Sequence, residues 1–519
     1  MRRHPLTRGA GRSQGTPTVP ITLPWQIATT AHLCALSPLS IAASAGHAGP
    51  LLGADRLAGG AFRFDLIDAY EAGLIQGPNM LISGAGAHGK SALAKAYLHR
   101  TTALTTLTGG RPRWTAVLDP KGEWTALGHR LGYAVLRLAP GGDLRVNPLD
   151  TARSAAMPDR PRAVLEARGS TQHATGPLPP TTDAGRIGPR TTRTAALRTP
   201  SASNGQSASL ADQDYATTNG ARPVISPAGD LGAVVAQRSA VMETLLAIAL
   251  DRPALDPSQQ RLLVETARRL SSQPGATGAG PTAPTLHDVR CLLAQPDVTL
   301  AEDLDTTLDE LLDRRRPLLD ATVTLLDHDL RGICDGPTTP GLDWQTAPGL
   351  ILDLSALLTQ PRALKLVLTA ATGWLATVMY GQPATHKITI VDEAWIALDD
   401  PAIARHLENQ WRLGRQFGQV NILITHALAD LRARTGPNAT TAEGLLNTTS
   451  VRVYLRQNPE HIDRLLADMG LTHRQAQLLG QLPPFTALWQ IGTHTALVDH
   501  PIAPDEWTFA DTDTAMTSR

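Results

Sequence analysis

The chain of 519 residues has little cysteine, little lysine and few aromatic side chains, and its formal net charge is +0. Cys34, Cys291 and Cys334 lie far apart without a CxxC or Cys/His spacing, so the sequence predicts neither a zinc site nor a disulfide framework. The sparse cysteine usage favours a reducing, cytoplasmic setting. The zero net charge removes the argument for attraction of the whole protein to nucleic acid or to a membrane.

Long hydrophobic runs are also lacking. Polar residues interrupt the apolar stretch Trp25–Gly46, and spanning a bilayer takes about 18 apolar residues in succession. The sequence therefore predicts no membrane-spanning helix. Neither a Ser/His/Asp signature, nor a dinucleotide fingerprint, nor an aromatic and basic stripe for single-stranded nucleic acid is present.

Composition and periodicity divide the chain into segments, because its length exceeds what one hydrophobic core usually supports. Residues 1–24 are predicted to be a disordered leader, and 25–78 an N-terminal module with short strands such as Ala61–Leu66. Residues 151–230 are rich in Arg, Thr, Ala and Pro with few large apolar side chains, which predicts a disordered insertion. Residues 511–519 form a tail.

A helical period marks residues 231–340 as an all-helical insertion subdomain. Val241, Leu245 and Ile248 fall on one face, and Leu304, Leu308 and Leu311 on another. Asp256-Pro257 has the pattern of a helix start, since a capping residue precedes a first-turn proline.

The flanking segments 79–150 and 341–510 alternate strands with helices, which predicts the two parts of one α/β core. Its sheet is expected to be mostly parallel and flanked by helices. The predicted strands include Met80–Ile82, Trp114–Leu118, Leu350–Asp353, Ile388–Val391, Val420–Thr425, Val451–Leu455 and Ala487–Ile491.

A glycine loop follows the first core strand, and a helix follows the loop. Its residues are Gly84, Ala85, Gly86, Ala87, His88, Gly89, Lys90 and Ser91, the complete pattern of a phosphate-binding loop. The glycines let backbone N–H groups turn toward phosphates, Lys90 reaches the β and γ phosphates, and Ser91 ligates Mg²⁺. Only five of the 47 basic residues are lysine. Composition alone therefore does not explain a lysine at the one position where the loop requires it.

Asp392 and Glu393 end a buried apolar strand, Ile388–Val391. Asp392 is predicted to hold the Mg²⁺ shell, and Glu393 to orient and activate the attacking water. Acidic residues end many strands, so this pair gains its meaning from the glycine loop. A separation of 302 residues between Lys90 and Asp392 argues against small GTPases and small-molecule kinases, whose sheets are closed by shorter connections.

Other polar residues near the predicted strand ends have two possible roles each. Asp119, Lys121 and Glu123 follow the second core strand, where they are either site residues or a polar turn. Arg415 precedes the strand that ends in His426. His426 can sense the γ-phosphate or only cap a strand, and Arg415 can enter a neighbouring subunit as an arginine finger or lie on a solvated face.

Five segments lie in the following order along the chain: the glycine loop, Asp119-Pro120-Lys121-Gly122-Glu123, Asn147-Pro148-Leu149-Asp150, Val391-Asp392-Glu393-Ala394-Trp395, and the stretch from Arg415 to His426. Together they resemble the conjugative-transfer, type IV secretion ATPases, relatives of FtsK and HerA. A late Asp511-Thr512-Asp513 adds to the likeness. The resemblance implies a RecA-like core with an all-helical insertion, ATP and Mg²⁺ as ligands, and a hexameric ring with sites at subunit boundaries.

The same resemblance implies cytoplasmic motors at the inner face of a membrane, which drive DNA or protein export through secretion channel subunits. Lys90, Ser91, Asp392 and Glu393 match the family's ATP and Mg²⁺ positions, and Arg415 matches its finger region. His426 stands where the family usually has Gln. Two alternatives stay open: a DNA translocase like FtsK or HerA, and a nucleotide-binding scaffold without hydrolysis.

Overall fold

The computed structural model describes residues 46, 48–150, 231–272, 283–339, 346–381, 386–398, 401–426, 444–445, 448–458 and 470–511. The leader over 1–24 and the insertion over 151–230 lie outside the described residues, as does the tail beyond Asp511. The described strands form one sheet of 11 strands.

Seven neighbouring strands of this sheet run parallel. In spatial order they are β5 (Ala134–Arg137), β6 (Gly349–Asp353), β4 (Arg113–Asp119), β7 (His386–Val391), β8 (Gln419–Thr425), β3 (Asn79–Ser83) and β9 (Val451–Tyr454). Every residue of β3, β6 and β8 is buried, as expected for parallel strands covered on both faces. The predicted mostly parallel sheet is confirmed.

Four antiparallel strands extend the sheet beyond β9. They are β10 (Thr486–Ile491), β11 (His494–Asp499), β1 (Leu51–Asp55) and β2 (Gly60–Arg63), in that order. The predicted strand Ala61–Leu66 is wrong at its end. It stops at Arg63 because Asp65 accepts from the backbone N–H groups of Ile67 and Asp68 and so starts helix α1 (Leu66–Glu71).

Helices cover both faces of the sheet. Leu81 and Ile82 point to opposite faces and lie in different apolar cores. The helices around the sheet are α2 (Lys90–Thr108), α3 (Thr125–Leu131), α9 (Pro361–Gly381), α10 (Trp395–Leu398), α11 (Pro401–Gly414), α12 (His473–Leu479) and α13 (Trp507–Ala510).

The predicted helical region contains α4 (Leu231–Ala249), α5 (Pro257–Ser272), α6 (Leu286–Ala294), α7 (Val298–Asp303) and α8 (Leu308–Thr324). Val241, Leu245 and Ile248 are buried on α4 as predicted, and α5 begins at Pro257. The second predicted face is wrong, because Leu304 caps the end of α7 and Leu308 begins α8.

Helix α4 is also long and apolar enough to cross a membrane by length and composition, which the sequence had not suggested. In this fold the apolar side chains of its second half, from Val241 to Ile248, belong to the protein core, whereas Leu231 at its start is 45% exposed. The helix packs against α5 and α9. Gly373 allows the close approach of α9, since a Cβ there would lie 2.8 Å from a methyl carbon of Val241.

The segment Asn147–Asp150 joins the core to the helical region. Asn147 Nδ2 donates to Asp150 Oδ1 over 3.1 Å and to the carbonyl of Pro284 over 3.0 Å. Arg238 on α4 donates from Nε to the carbonyl of Leu149 over 3.0 Å. Hydrogen bonds between buried groups therefore give this motif a structural role.

Candidate functional site

The glycine loop lies between the end of β3 and the start of α2 at the carboxyl edge of the parallel strands. Gly89 precedes the helix with φ of 92°, a conformation that glycine adopts without steric cost. A Cβ at Gly89 would lie 2.6 Å from the Phe485 ring, and a Cβ at Gly84 would lie 2.8 Å from that of Leu455. These contacts explain why the loop needs glycine at both positions.

Lys90 extends from the first turn of α2 across the loop. Its ammonium donates to the carbonyl of Ala85 over 3.0 Å and to Nδ1 of His426 over 3.1 Å. Burial lowers the pKa of Lys90 to about 8, against the opposing effect of Glu393. The loop thus holds a cation that is poorly solvated and suited to an anionic ligand.

The order of the strands brings His426 beside the other predicted site residues. Strand β8 lies between β3 and β7, so His426, directly after β8, lies between Lys90 and Glu393. An ammonium can only donate and a carboxylate can only accept. The contacts therefore define a neutral His426 that accepts at Nδ1 from Lys90 and donates from Nε2 to Glu393 Oε1 over 2.9 Å.

Glu393 is held by three donors. Besides His426, Lys121 contacts Oε1 and Trp395 Nε1 donates to Oε2. Burial alone would raise the pKa of Glu393, but the hydrogen bonds from His426 and Lys121 outweigh it and lower the pKa to about 2. Its backbone φ of 50° is unusual for a residue with a side chain, and such outliers often occur at functional sites.

Asp392 lies one layer deeper than Glu393 and is 3% exposed. Its carboxylate accepts from the indole N–H of Trp124 over 2.8 Å and from the backbone N–H of Glu393 over 2.9 Å. Burial raises the pKa of Asp392. Asp392 is therefore a buried carboxylate next to the cavity that would help to hold a metal ion bound there.

The turn after β4 contains both kinds of residue that the sequence left open, a structural turn residue and residues at the site. Asp119 is fully buried and accepts the backbone N–H groups of Lys121, Gly122, Glu123 and Trp124 over 2.8–3.2 Å. It is thus a structural turn residue. Lys121 and Glu123 instead face the cavity beside the loop, where the turn fixes their backbone.

This cavity has a volume of about 170 Å³ and is lined by loop, strand-end and C-terminal residues. Lys90, Ser91, Lys121, Glu123, Glu393 and His426 provide its polar wall. Phe485, Trp507 and Asp511 form a further wall, with the two aromatic rings in edge-to-face contact at 5.5 Å. Sequence reasoning gave Phe485 and Trp507 no role, because nothing local marks their approach to the loop.

The donor set fits a magnesium ion bound together with a nucleotide. Among the residues that the structure describes, no group of three or more His, Cys, Asp or Glu is arranged to hold a metal alone. Mg²⁺ usually keeps several waters and binds through one or two carboxylates plus substrate phosphates. Ser91 and Glu123 supply oxygens at the cavity wall, and Asp392 lies behind it.

Arg415 lies away from this cavity. It precedes β8 at the amino edge of the sheet, where Nη1 donates to the carbonyl of Gln76 over 3.2 Å. The side chain is exposed. Arg415 is therefore absent from the site of its own chain, and a role in a neighbouring subunit stays a prediction.

A glycine loop on β3, an acidic pair after β7 and a polar residue after the intervening β8 define a RecA-like P-loop nucleotide-binding fold. No family model and no curated protein matches the sequence. Among solved structures, VirB4 of Thermoanaerobacter pseudethanolicus is similar with a TM-score of 0.59 and 16% identity, covering 90% of this chain and 100% of that one.

Two structures of the TrwB coupling protein also match. The unbound bacterial conjugative coupling protein TrwBΔN70 gives a TM-score of 0.46 at 13% identity, with 89% and 90% of the two chains covered. Plasmid coupling protein TrwB with ADP and Mg²⁺ gives 0.46 at 14%, with 95% and 97% covered. The RecA-like fold predicted from the sequence is confirmed by the likeness to VirB4, which at 16% identity shows a shared fold.

Proposed function

We propose that this chain is the ATP-hydrolysing motor of a conjugation-type secretion system and powers the transfer of DNA or protein. The observation that carries the proposal is the continuous chain of contacts from Lys90 through His426 to Glu393 at the mouth of the glycine loop. It joins the phosphate-binding cation to the carboxylate that would activate water. The fold shared with VirB4 supports the secretion setting.

In the proposed reaction the glycine loop and Lys90 bind the β and γ phosphates. Glu393 accepts a proton from a water whose oxygen attacks the γ phosphorus, and the bond from that phosphorus to the bridging oxygen breaks, which yields ADP and phosphate. Ser91 and Asp392 would hold Mg²⁺, which neutralises charge on the phosphates when bound. Positioning and charge supply most of the catalysis.

The wider setting belongs to the same proposal. A homohexameric ring bound to membrane channel subunits at the cytoplasmic face would place Arg415 of one subunit in the site of the next. Segments 79–150 and 341–510 would form the motor core, with the helical segment 231–340 between them. DNA is a second candidate partner.

The test is steady-state ATP hydrolysis across a protein concentration series, with and without duplex DNA. Lys90→Ala should abolish nucleotide binding, while Glu393→Gln should keep binding and lower turnover by about 100-fold or more. Lys365→Ala, on α9 and away from the cavity, is the matched lysine control. Turnover per subunit that rises with concentration would support sites completed between subunits.

Glu393 is contacted by His426, Lys121 and Trp395. These contacts favour one other candidate function, a nucleotide-binding scaffold. That protein would bind ATP without turnover at any concentration, and Glu393→Gln would change nothing. Strong stimulation by DNA that falls steeply with salt would instead favour a DNA translocase.

A further inference from the structure

Lysine is scarce in this chain, yet two of its five lysines, Lys90 and Lys121, line one cavity. Lys90 belongs to the glycine loop, and Lys95 is buried over the ring of Trp124. Lys121 has no role in the proposed chemistry so far. It is a compact charge on a flexible stem, which suits a group that changes partners.

The backbone of Lys121 is fixed by the turn, while its side chain is partly exposed. Asp119 fixes the turn through its four backbone N–H contacts. Gly122, with φ of 76°, packs the turn against Ser355, where an added Cβ would lie 3.1 Å away. The Lys121 side chain is 38% exposed and crosses the cavity wall to reach Glu393.

In this arrangement one oxygen of Glu393 has both of its acceptor positions filled. Oε1 accepts from both Lys121 and His426, and Oε2 accepts from Trp395. The residue is 5% exposed. With both acceptor positions of Oε1 filled, that oxygen cannot also accept from an attacking water, so the observed state is one in which Oε1 of the general base is held back.

A triphosphate offers Lys121 a stronger partner than Glu393 does. Lys121 lines the same cavity as Lys90 and Ser91, where phosphates would bind. We propose that Lys121 is a positioning residue that holds Glu393 back until the γ-phosphate of ATP draws its ammonium away, which frees Oε1 for the attacking water. A diphosphate lacks the group that draws Lys121 away, so Glu393 stays held in the ADP state.

This inference rests on the proposed function, but its main test does not require turnover. The dissociation constants of ADP and of a non-hydrolysable ATP analogue are measured by titration calorimetry for wild type, Lys121→Met, Glu393→Gln and the double variant. Lys121→Met should weaken the ATP analogue by about tenfold, because a charge-assisted hydrogen bond is lost, and ADP by less than about twofold.

Glu393→Gln should tighten the ATP analogue by about threefold, because Lys121 no longer has a carboxylate to leave. That gain should vanish in the double variant, and ADP should show no such coupling. Lys121→Arg keeps the charge and should restore part of the preference for ATP. Arg111→Met removes an exposed cation of the α1 ion pair with Glu71 and should change neither ligand.

Equal weakening of both nucleotides by Lys121→Met, or additive effects of the two substitutions, would overturn the inference. Nucleotide binding with coupling but without turnover would sustain the inference and sink the motor proposal. Turnover in wild type with no coupling would do the reverse. Absence of nucleotide binding in wild type would sink both.

Discussion

Lys90 donates to Nδ1 of His426 over 3.1 Å, so Lys90 of the glycine loop and Glu393 share one imidazole. The neutral ring supplies an acceptor to Lys90 and a donor to Glu393. A glutamine side chain also offers one acceptor, its carbonyl oxygen, and one donor group, its amide NH₂. Glutamine is therefore able to make both contacts at this position.

The first prediction follows from this pairing. His426→Gln should keep turnover within about threefold of wild type, because both hydrogen bonds can be retained, while His426→Ala should lower turnover by about 100-fold. The measurement is single-turnover ATP hydrolysis at saturating nucleotide. Equal loss in the two variants would mean that the ring itself, and not its donor and acceptor, is required.

Sequence reasoning found the parts of the site that carry local signals. The glycine loop and Asp392-Glu393 are contiguous motifs next to strands of continuous apolar residues, and these patterns do not depend on distant contacts. It could not find the ion pair between Lys121 and Glu393, because that contact depends on β4 and β7 being neighbours in the sheet.

The order of the strands in the sheet could not be predicted from the sequence either. Strand β1 lies between β2 and β11 and so pairs with a strand from the other end of the chain, and alternation of apolar residues says nothing about which strand is the partner. The aromatic wall was missed for the same reason. Phe485 and Trp507 reach the loop only because β10 runs antiparallel to β9 and α13 packs on α2.

The second prediction concerns this aromatic wall. Trp507 is 43% exposed at the cavity and contacts Phe485 edge to face, so it offers a face on which a nucleotide base can stack. Trp507→Ala should weaken ADP binding by about tenfold, since base stacking on an aromatic ring contributes roughly 1–3 kcal/mol. Trp507→Phe should retain most of the affinity.

A triphosphate without a base provides the control for that prediction. Its affinity should not change in Trp507→Ala, because it does not reach the ring. Leu107→Ala removes an exposed apolar side chain of α2 that is 84% exposed and serves as the matched surface variant. Unchanged ADP binding in Trp507→Ala would show that the base lies elsewhere.

The third prediction concerns the junction between the core and the helical region. Arg238 is 1% exposed, and burial lowers its pKa to about 10 against the opposing charge of Asp150. Arg238→Met should lower the free energy of unfolding by about 3 kcal/mol, because Asp150 would lose its buried counter-charge. Denaturant unfolding followed by tryptophan fluorescence measures the change.

A double variant separates the charge from the packing. Arg238→Met combined with Asp150→Asn should cost less than the sum of the single changes. Arg252→Met, which breaks an exposed ion pair with Asp256, should stay within about 0.5 kcal/mol of wild type. Strict additivity would mean that the two buried groups do not interact.

The fourth prediction is a pH dependence of stability at the antiparallel end of the sheet. His500 is 4% exposed, accepts from the indole N–H of Trp489 over 2.8 Å, and donates to the carbonyl of Leu52 over 3.0 Å. Burial lowers the pKa of His500 from its ordinary 6.5 to about 4. The folded protein therefore keeps this ring neutral while the unfolded chain begins to take up a proton.

Its contribution is fully present above pH 6.5 and is lost progressively as the pH falls to about 4. The loss reaches about 3 kcal/mol by linkage. His500→Gln, which can make both hydrogen bonds without titrating, should have a melting temperature that falls less than that of wild type between pH 7 and pH 4.5. The exposed His494→Gln on β11 is the control and should follow wild type. Parallel curves for His500→Gln and wild type would contradict a neutral buried ring.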